Sequence, residues 1–166
     1  VIQDLFHQFG QARVAELPAL RSGNGLPVRG DVARAMALAV APYRPAFITP
    51  MAAVAGAVAE AVLAAMIAGG GLTRAYVNNG GDIALHLAPG AGYEVALATG
   101  GRVSLRHGDG IGGVATSGWR GRSQSLGIAD AVTVLARTAP MADAAATMIA
   151  NAVDLPGHPG VRRLPA

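Results

Sequence analysis

The segment "APMADAAATMIANAV", residues 139–153, is almost wholly apolar, yet it carries Asp143 and, one helical turn later, Thr147. Residues at that spacing on a helix share a face. A carboxylate and a hydroxyl presented together are hard oxygen donors, of the kind that hold Mg²⁺ while a phosphate supplies further oxygens. The same pair also has a structural use. An acidic residue near a helix start complements the helix dipole, and a threonine can bond back to a carbonyl one turn earlier. Spacing alone leaves both uses open.

Two glycine-bearing stretches add candidate ligand contacts. "NNGGD", residues 78–82, reads as a hairpin turn, since Asn-Gly is a strong turn signal. Its consecutive Gly80 and Gly81 exceed what a turn requires and would let a ligand approach the backbone, with Asn79 and Asp82 offering a donor and acceptors at the edge. "GIGGVATSG", residues 110–118, reads as a loop dense in amides and hydroxyls, where Thr116, Ser117 and Gly118 could cradle phosphate. It lacks the lysine and following helix of a Walker loop and the glycine spacing of a dinucleotide fingerprint. Trp119 with Arg120 and Arg122 could stack on an aromatic ligand or grip phosphate, or form a solvated turn. His86 and His107 have no carboxylate or histidine at metal-ligand spacing, so packing or surface roles are expected for them, and Ser117 has no local elbow to make it a hydrolase nucleophile.

The elements that must position these residues follow from period and punctuation. Residues 1–21 carry a loose helical period that ends in the loop "RSGNGLP". "VRGDVARAMALAVAPY" predicts a helix with Asp31 near its start and Pro42 at its end. "FITPMAAVAGAVAEAVLAAMIAGGG" predicts a long one, capped by Thr49, with Pro50 in its first turn and three glycines at its stop. The stretch 51–71 is apolar enough to raise the question of a membrane span, but Glu60 in its middle and its Ala/Gly content favour a buried helix. The period then changes to that of strands. "RAYVNNGGDIALHL" predicts a hairpin with Ile83, Leu85 and Leu87 on one face. "YEVALATG" and "GRVSLRHG" predict a second hairpin across Gly100 and Gly101. "ADAVTVLA" predicts a strand with Val132, Val134 and Ala136 on one face, after which Pro140 opens the last helix. Helices, then strands, then a terminal helix give an α+β domain with an antiparallel sheet packed on helices.

Bulk properties bound the function. The chain of 166 residues, 52% hydrophobic, suits one domain over residues 1–166. Its net charge is +3, but the basic residues are all arginines and lie scattered, so no nucleic-acid surface and no membrane partner are expected. There is no cysteine, and no charged region, apolar run and cleavage site open the chain, so a cytoplasmic protein without a secretory leader is expected. Short strands in a glycine-rich sheet can also pair across a homodimer.

Taken in order, the helix with its internal "AVAG", then "NNGGD", then "ATSG", then "ADAVTVLA" and "ADAAAT" resemble the ApbE-like superfamily over roughly residues 46–153. Its best-known members are FAD:protein FMN transferases. The resemblance implies the ApbE-like fold, a site for FAD and Mg²⁺, and transfer of FMN from FAD to a serine or threonine of a partner protein. It implies metal ligation by Asp143, Thr147 and the backbone carbonyl of Val54. Ligand contacts are implied for Gly56, for Asn79, Gly80, Gly81 and Asp82, and for Thr116, Ser117 and Gly118. The phosphate and its metal would then sit at the N-terminal end of the last helix. The sequence departs from the transferases at Ala55, where they carry lysine, in the absence of their "HIIDP" segment, and at Trp119 and Arg120. It is closer to a branch without that segment, for which a non-catalytic ligand-binding or scaffold protein and an FAD diphosphate hydrolase are the alternatives.

Overall fold

The structure, a computed structural model, describes residues 28–98, 100–121 and 125–163. The helical period read at residues 1–21 and Arg122 lie outside the described residues.

Helix α1 (Asp31–Val40) ends in a 3₁₀ turn, Ala41–Tyr43, that contains Pro42. A second 3₁₀ turn, Pro50–Ala53, leads into α2 (Val54–Ala68), so the long helix expected from Thr49 onward begins in two stages. Thr49 holds the cap position of the 3₁₀ turn, but its side chain makes no capping bond. Hairpin β1 (Arg74–Asn79) and β2 (Asp82–Leu87) closes with Asn79 opposite Asp82. The turn residues Gly80 and Gly81 have φ of 70° and 113°, the left-handed pair that a two-residue hairpin turn demands. The second hairpin, β3 (Gly92–Ala96) and β4 (Arg102–Arg106), forms with Val95 opposite Val103, but its pairing ends at Ala96 opposite Arg102, so the connection is longer than the Gly100–Gly101 turn read from the sequence. Then come β5 (Gly113–Ser117), β6 (Val132–Ala136) and α3 (Ala139–Ala152).

Among the described residues, four strands form an antiparallel sheet in the order β1-β2-β5-β6, and β3-β4 forms a separate two-stranded sheet. This is the α+β class read from the element order. One correction is substantial: "GIGGVATSG" is not an open loop, because its second half is the interior strand β5, hydrogen-bonded to β2 and β6. Its glycines serve close packing instead. A Cβ on Gly113 would fall on the backbone of Thr138 and Ala139, where α3 begins.

Side-chain size decides how the layers meet. Ile83, Leu85 and Leu87 face the β3-β4 hairpin, where they pack with Leu105, Val114, Tyr93 and Val103. The opposite face of the sheet is lined by Ala75, Ala84 and Ala115, against which Ala59 and Leu63 of α2 and Ala142 and Ala146 of α3 pack. Alanine there lets the helices sit close to the sheet, and van der Waals contact replaces side-chain bulk. Helix α1 covers the outer side of the pair, with Met36 and Val40 against Ala53, Ala57 and Ala144.

Among the described residues, Pro50–Ala68 is the one helix long and apolar enough to cross a membrane by length and composition. Within this fold it buries Gly56, Ala57, Ala59 and Leu63, and Glu60 accepts the Ala139 amide of α3 at 2.9 Å. That carboxylate satisfies an amide that α3 cannot bond internally. Glu60→Ala is therefore expected to cost about 1 kcal/mol, as loss of a helix cap does, with Glu60→Gln close to wild type; urea denaturation checks both.

Candidate functional site

Helices α2 and α3 cap each other. Glu60 of α2 takes the first amide of α3, and Asp143 of α3 reaches the start of α2, where its Oδ2 accepts the Gly56 amide at 3.0 Å and the carboxylate also bonds the Ala55 amide. Asp143 thus complements the dipole of the neighbouring helix and not that of its own. The N-terminus of α3 is already occupied. Besides Glu60, Thr138 accepts the Met141 amide through its side chain and the Ala142 amide through its carbonyl. The amides at the start of α3 are therefore engaged within the protein, and the Asp143 carboxylate lies at the start of α2.

Two further elements converge on that point. The Asn79 side chain donates to the Ala55 carbonyl at 3.2 Å, tying the end of β1 to the first turn of α2. Asp82, at the start of β2, accepts the Thr116 amide of β5. Burial pushes Asp143 up to about 7, the nearby negative Asp82 adds to that, and the Gly56 and Ala55 amides oppose it. Burial likewise pushes Asp82 up to about 6 against the Thr116 amide. Among the described residues neither carboxylate belongs to an ion pair. Two desolvated acids therefore lie within each other's field, opposed by backbone amides, an arrangement that a cation would stabilise.

These shifts predict a pH dependence. Each folded-state value lies above the ordinary 3.8, so the folded protein holds protons that the unfolded chain has released. Stability from these groups is complete below about pH 4 and is lost as pH rises through 6 and 7. In chelator, the contribution of this pair is expected to make the protein melt higher at pH 5.5 than at pH 8, and the gap should shrink in Asp143→Asn; thermal denaturation at the two values measures it.

The residues singled out by sequence divide as follows. Val54, Gly56, Asn79, Asp82, Thr116 and Asp143 gather around the α2 start. Thr147 stands one turn along α3 from Asp143, half-buried. Ser117 is buried at the end of β5, and the Thr116 hydroxyl is engaged with that of Thr133 at 2.9 Å. Neither forms part of an open phosphate loop. Gly80 and Gly81 build the turn, in which the Gly81 amide bonds the Asn78 side chain at 2.9 Å. Gly118 lets the Asp130 and Ala131 backbone pack against it, where a Cβ would come within 2.9 Å of Ala131 Cα. His107 bonds the Leu87 carbonyl through its ring, a packing role as expected.

The pairing of Asp82 with Asp143, the Glu60 cap and the Ala55 amide escape the sequence. Their partners are distant along the chain, and no local spacing announces them. The described residues hold no group of three or more His, Cys, Asp or Glu fit for a metal. A cation here would rely on two carboxylates, a hydroxyl and backbone oxygens. That donor set suits a hard ion that keeps part of its water.

Fold and site define an α+β domain in which a tight β-turn, a helix start and a second helix enclose a desolvated carboxylate pair. The chain belongs to the family described as "AbpE bacteria", which it matches over residues 4–166. It is similar to a UPF0280 protein of Methanopyrus kandleri, 38% identical over 141 residues, covering 82% of this chain and 54% of that one. A UPF0280 protein of Methanococcoides burtonii is 39% identical over 121 residues, 69% of this chain and 49% of the relative. One from Archaeoglobus fulgidus is 42% identical over 108 residues, 63% and 44% respectively. The chain spans about half the length of these relatives.

Proposed function

We propose that this protein binds a flavin or other nucleotide diphosphate together with Mg²⁺ and belongs to the wider ApbE-like superfamily. The observation that carries the reading is the juxtaposition of Asp82 and Asp143, two part-buried carboxylates, each raised by desolvation, with no ion-pair partner among the described residues. Asp143 and Asp82 would hold the metal, with the Thr147 hydroxyl and the Val54 carbonyl as further oxygens. When bound, Mg²⁺ supplies positive charge that offsets a diphosphate. Asn79 fixes the first turn of α2 through Ala55, and the Thr116 amide orients Asp82, so both acids are held in place by backbone. The corresponding reaction is transfer of FMN from FAD to a serine or threonine of a partner protein: the acceptor hydroxyl oxygen bonds to the FMN phosphorus and gives up its proton to solvent, the diphosphate bond breaks and AMP leaves.

A specific observation also favours a non-catalytic binding or scaffold protein. Asp143 has a complete structural role in capping α2, and Ala55 stands where transferases carry lysine. Incubation with FAD, Mg²⁺ and candidate acceptors, followed by intact-mass spectrometry, separates the readings. An adduct of FMN mass supports transfer, AMP and free FMN without an adduct support hydrolysis, and tight binding with neither supports the scaffold. Absence of any Mg²⁺-dependent binding overturns all three.

A further inference from the structure

Strand β6 closes one end of the four-stranded sheet, yet its sequence, "VTVLA", is that of an interior strand. All five residues are half-buried. Val134 and Ala136 pack toward α3, Leu135 packs toward the β3-β4 hairpin, and the Thr133 hydroxyl meets that of Thr116, so neither face is given over to water. Among the described residues only β5 pairs with it. An edge strand is ordinarily kept from further pairing by a charge, a proline or a bulge, and β6 has none of these. The opposite edge, β1, presents Arg74, Tyr76 and Asn78 to solvent.

The helix above β6 carries the same apolar character outward. α2 lies over β1 and β2, and α3 over β5 and β6. On α3, Asp143 reaches α2, while Ala142 and Ala146 rest on the sheet. At about 3.6 residues per turn, Met141, Ala145, Met148 and Ala152 lie on the side opposite Asp143 with Ile149 beside them, so the stripe points away from α2, toward the β6 end of the sheet. It holds no charge: Met141, Ala145 and Met148 are half-buried, Ala152 is exposed and Ile149 is 46% exposed.

A second copy of this chain fits both features. Antiparallel pairing of β6 with itself about Val134 sets Val132 opposite Ala136 and Thr133 opposite Leu135. Residues directly opposite share a face, so this register keeps both helix layers on one side of the joined sheet and turns the two α3 stripes toward each other. The strand ends are complementary as well. Asp130 precedes β6 and the exposed Arg137 follows it, and antiparallel pairing brings the acidic end of each strand beside the basic end of the other. We propose that β6 and the outer stripe of α3 form the interface of a two-fold symmetric dimer, in which the sheets of two copies join through β6 into one continuous sheet. The inference does not depend on the ligand reading above, because the stripe lies on the side of α3 away from Asp143.

Sedimentation of the intact protein over a dilution series is expected to show a reversible dimer. Ile149→Glu sets a charge on each α3 stripe, and Val132→Lys gives the edge the guard it lacks. Each is expected to weaken the dimer roughly a hundredfold or more, as an uncompensated charge in a packed interface does, and a thermal melt at high dilution establishes that the fold is kept. The chain has no cysteine, so Val134→Cys puts one thiol per copy at the two-fold axis. A short bismaleimide is expected to join two copies there, with Tyr76→Cys on β1 as the control that stays unjoined. A protein that remains monomeric across the series overturns the proposal and assigns the open edge to a strand from outside this chain. A dimer that persists in both charge variants, or that joins through Tyr76→Cys and not through Val134→Cys, overturns the assignment to this face.

Discussion

Gly56→Ala should destabilise the protein by about 3 kcal/mol or more, the upper range for forcing extra volume into a packed interior. In an exposed helix interior the same change would add stability, by up to about 1 kcal/mol. The sign reverses because a Cβ at this position would lie against the Ala139 carbonyl oxygen, 2.6 Å from its carbon and 2.8 Å from the Pro140 nitrogen. All three are backbone atoms at the start of a proline-bearing helix, and none can swing aside as a side-chain tip can. Moving α2 away would also stretch the bonds from Glu60 to Ala139 and from Asp143 to Gly56, so both caps would weaken together. Chemical denaturation of the variant measures the loss; a variant as stable as wild type would mean that the two helices do not cross this closely in solution.

Asp143→Asn should abolish Mg²⁺-dependent binding of FAD and ADP, a loss beyond the roughly tenfold to hundredfold that removal of an outer-shell partner costs. The fold should survive. The asparagine side-chain oxygen can still accept the Gly56 amide, and the substitution removes a charge that burial and Asp82 both disfavour. At pH 8 the metal-free variant is therefore expected to melt no lower than wild type, whereas Asp143→Ala, which leaves the α2 amides without an acceptor, should melt lower. Calorimetry with ADP and MgCl₂, beside a thermal melt, reads both quantities. Undiminished binding by Asp143→Asn would sink the assignment of Asp143 to the metal and leave it as a cap alone.

The site was partly legible in the residue order because some of its parts are local. Asp143 and Thr147 share a helix, and "NNGGD" is its own turn. Gly80 and Gly81 adopt the backbone that two adjacent glycines permit and other residues resist. The "GIGGVATSG" stretch misled for an equally physical reason. Glycine marks a loop where the chain must turn, but it also marks a strand where another backbone must come close, and composition does not separate the two. Gly113 belongs to the second kind, pressed by the start of α3. Composition accordingly predicts an open loop for Thr116 and Ser117, while the structure has their backbone in a ladder between β2 and β6.

By itself the sequence determined the α+β class, both hairpins and the turn of the first, and the last helix with Pro140 at its opening, because these depend on short-range period and on the conformational limits of glycine and proline. Only the tertiary structure decided that β5 lies inside the sheet, that Glu60 and Asp143 exchange caps between α2 and α3, and that Asp143 stands in the field of Asp82. Desolvation and the field of a neighbouring charge exist only once distant segments pack. "APMADAAATMIANAV" could therefore show that a carboxylate stood on an apolar helix, while the acid it confronts and the amides that restrain it came from elsewhere in the chain.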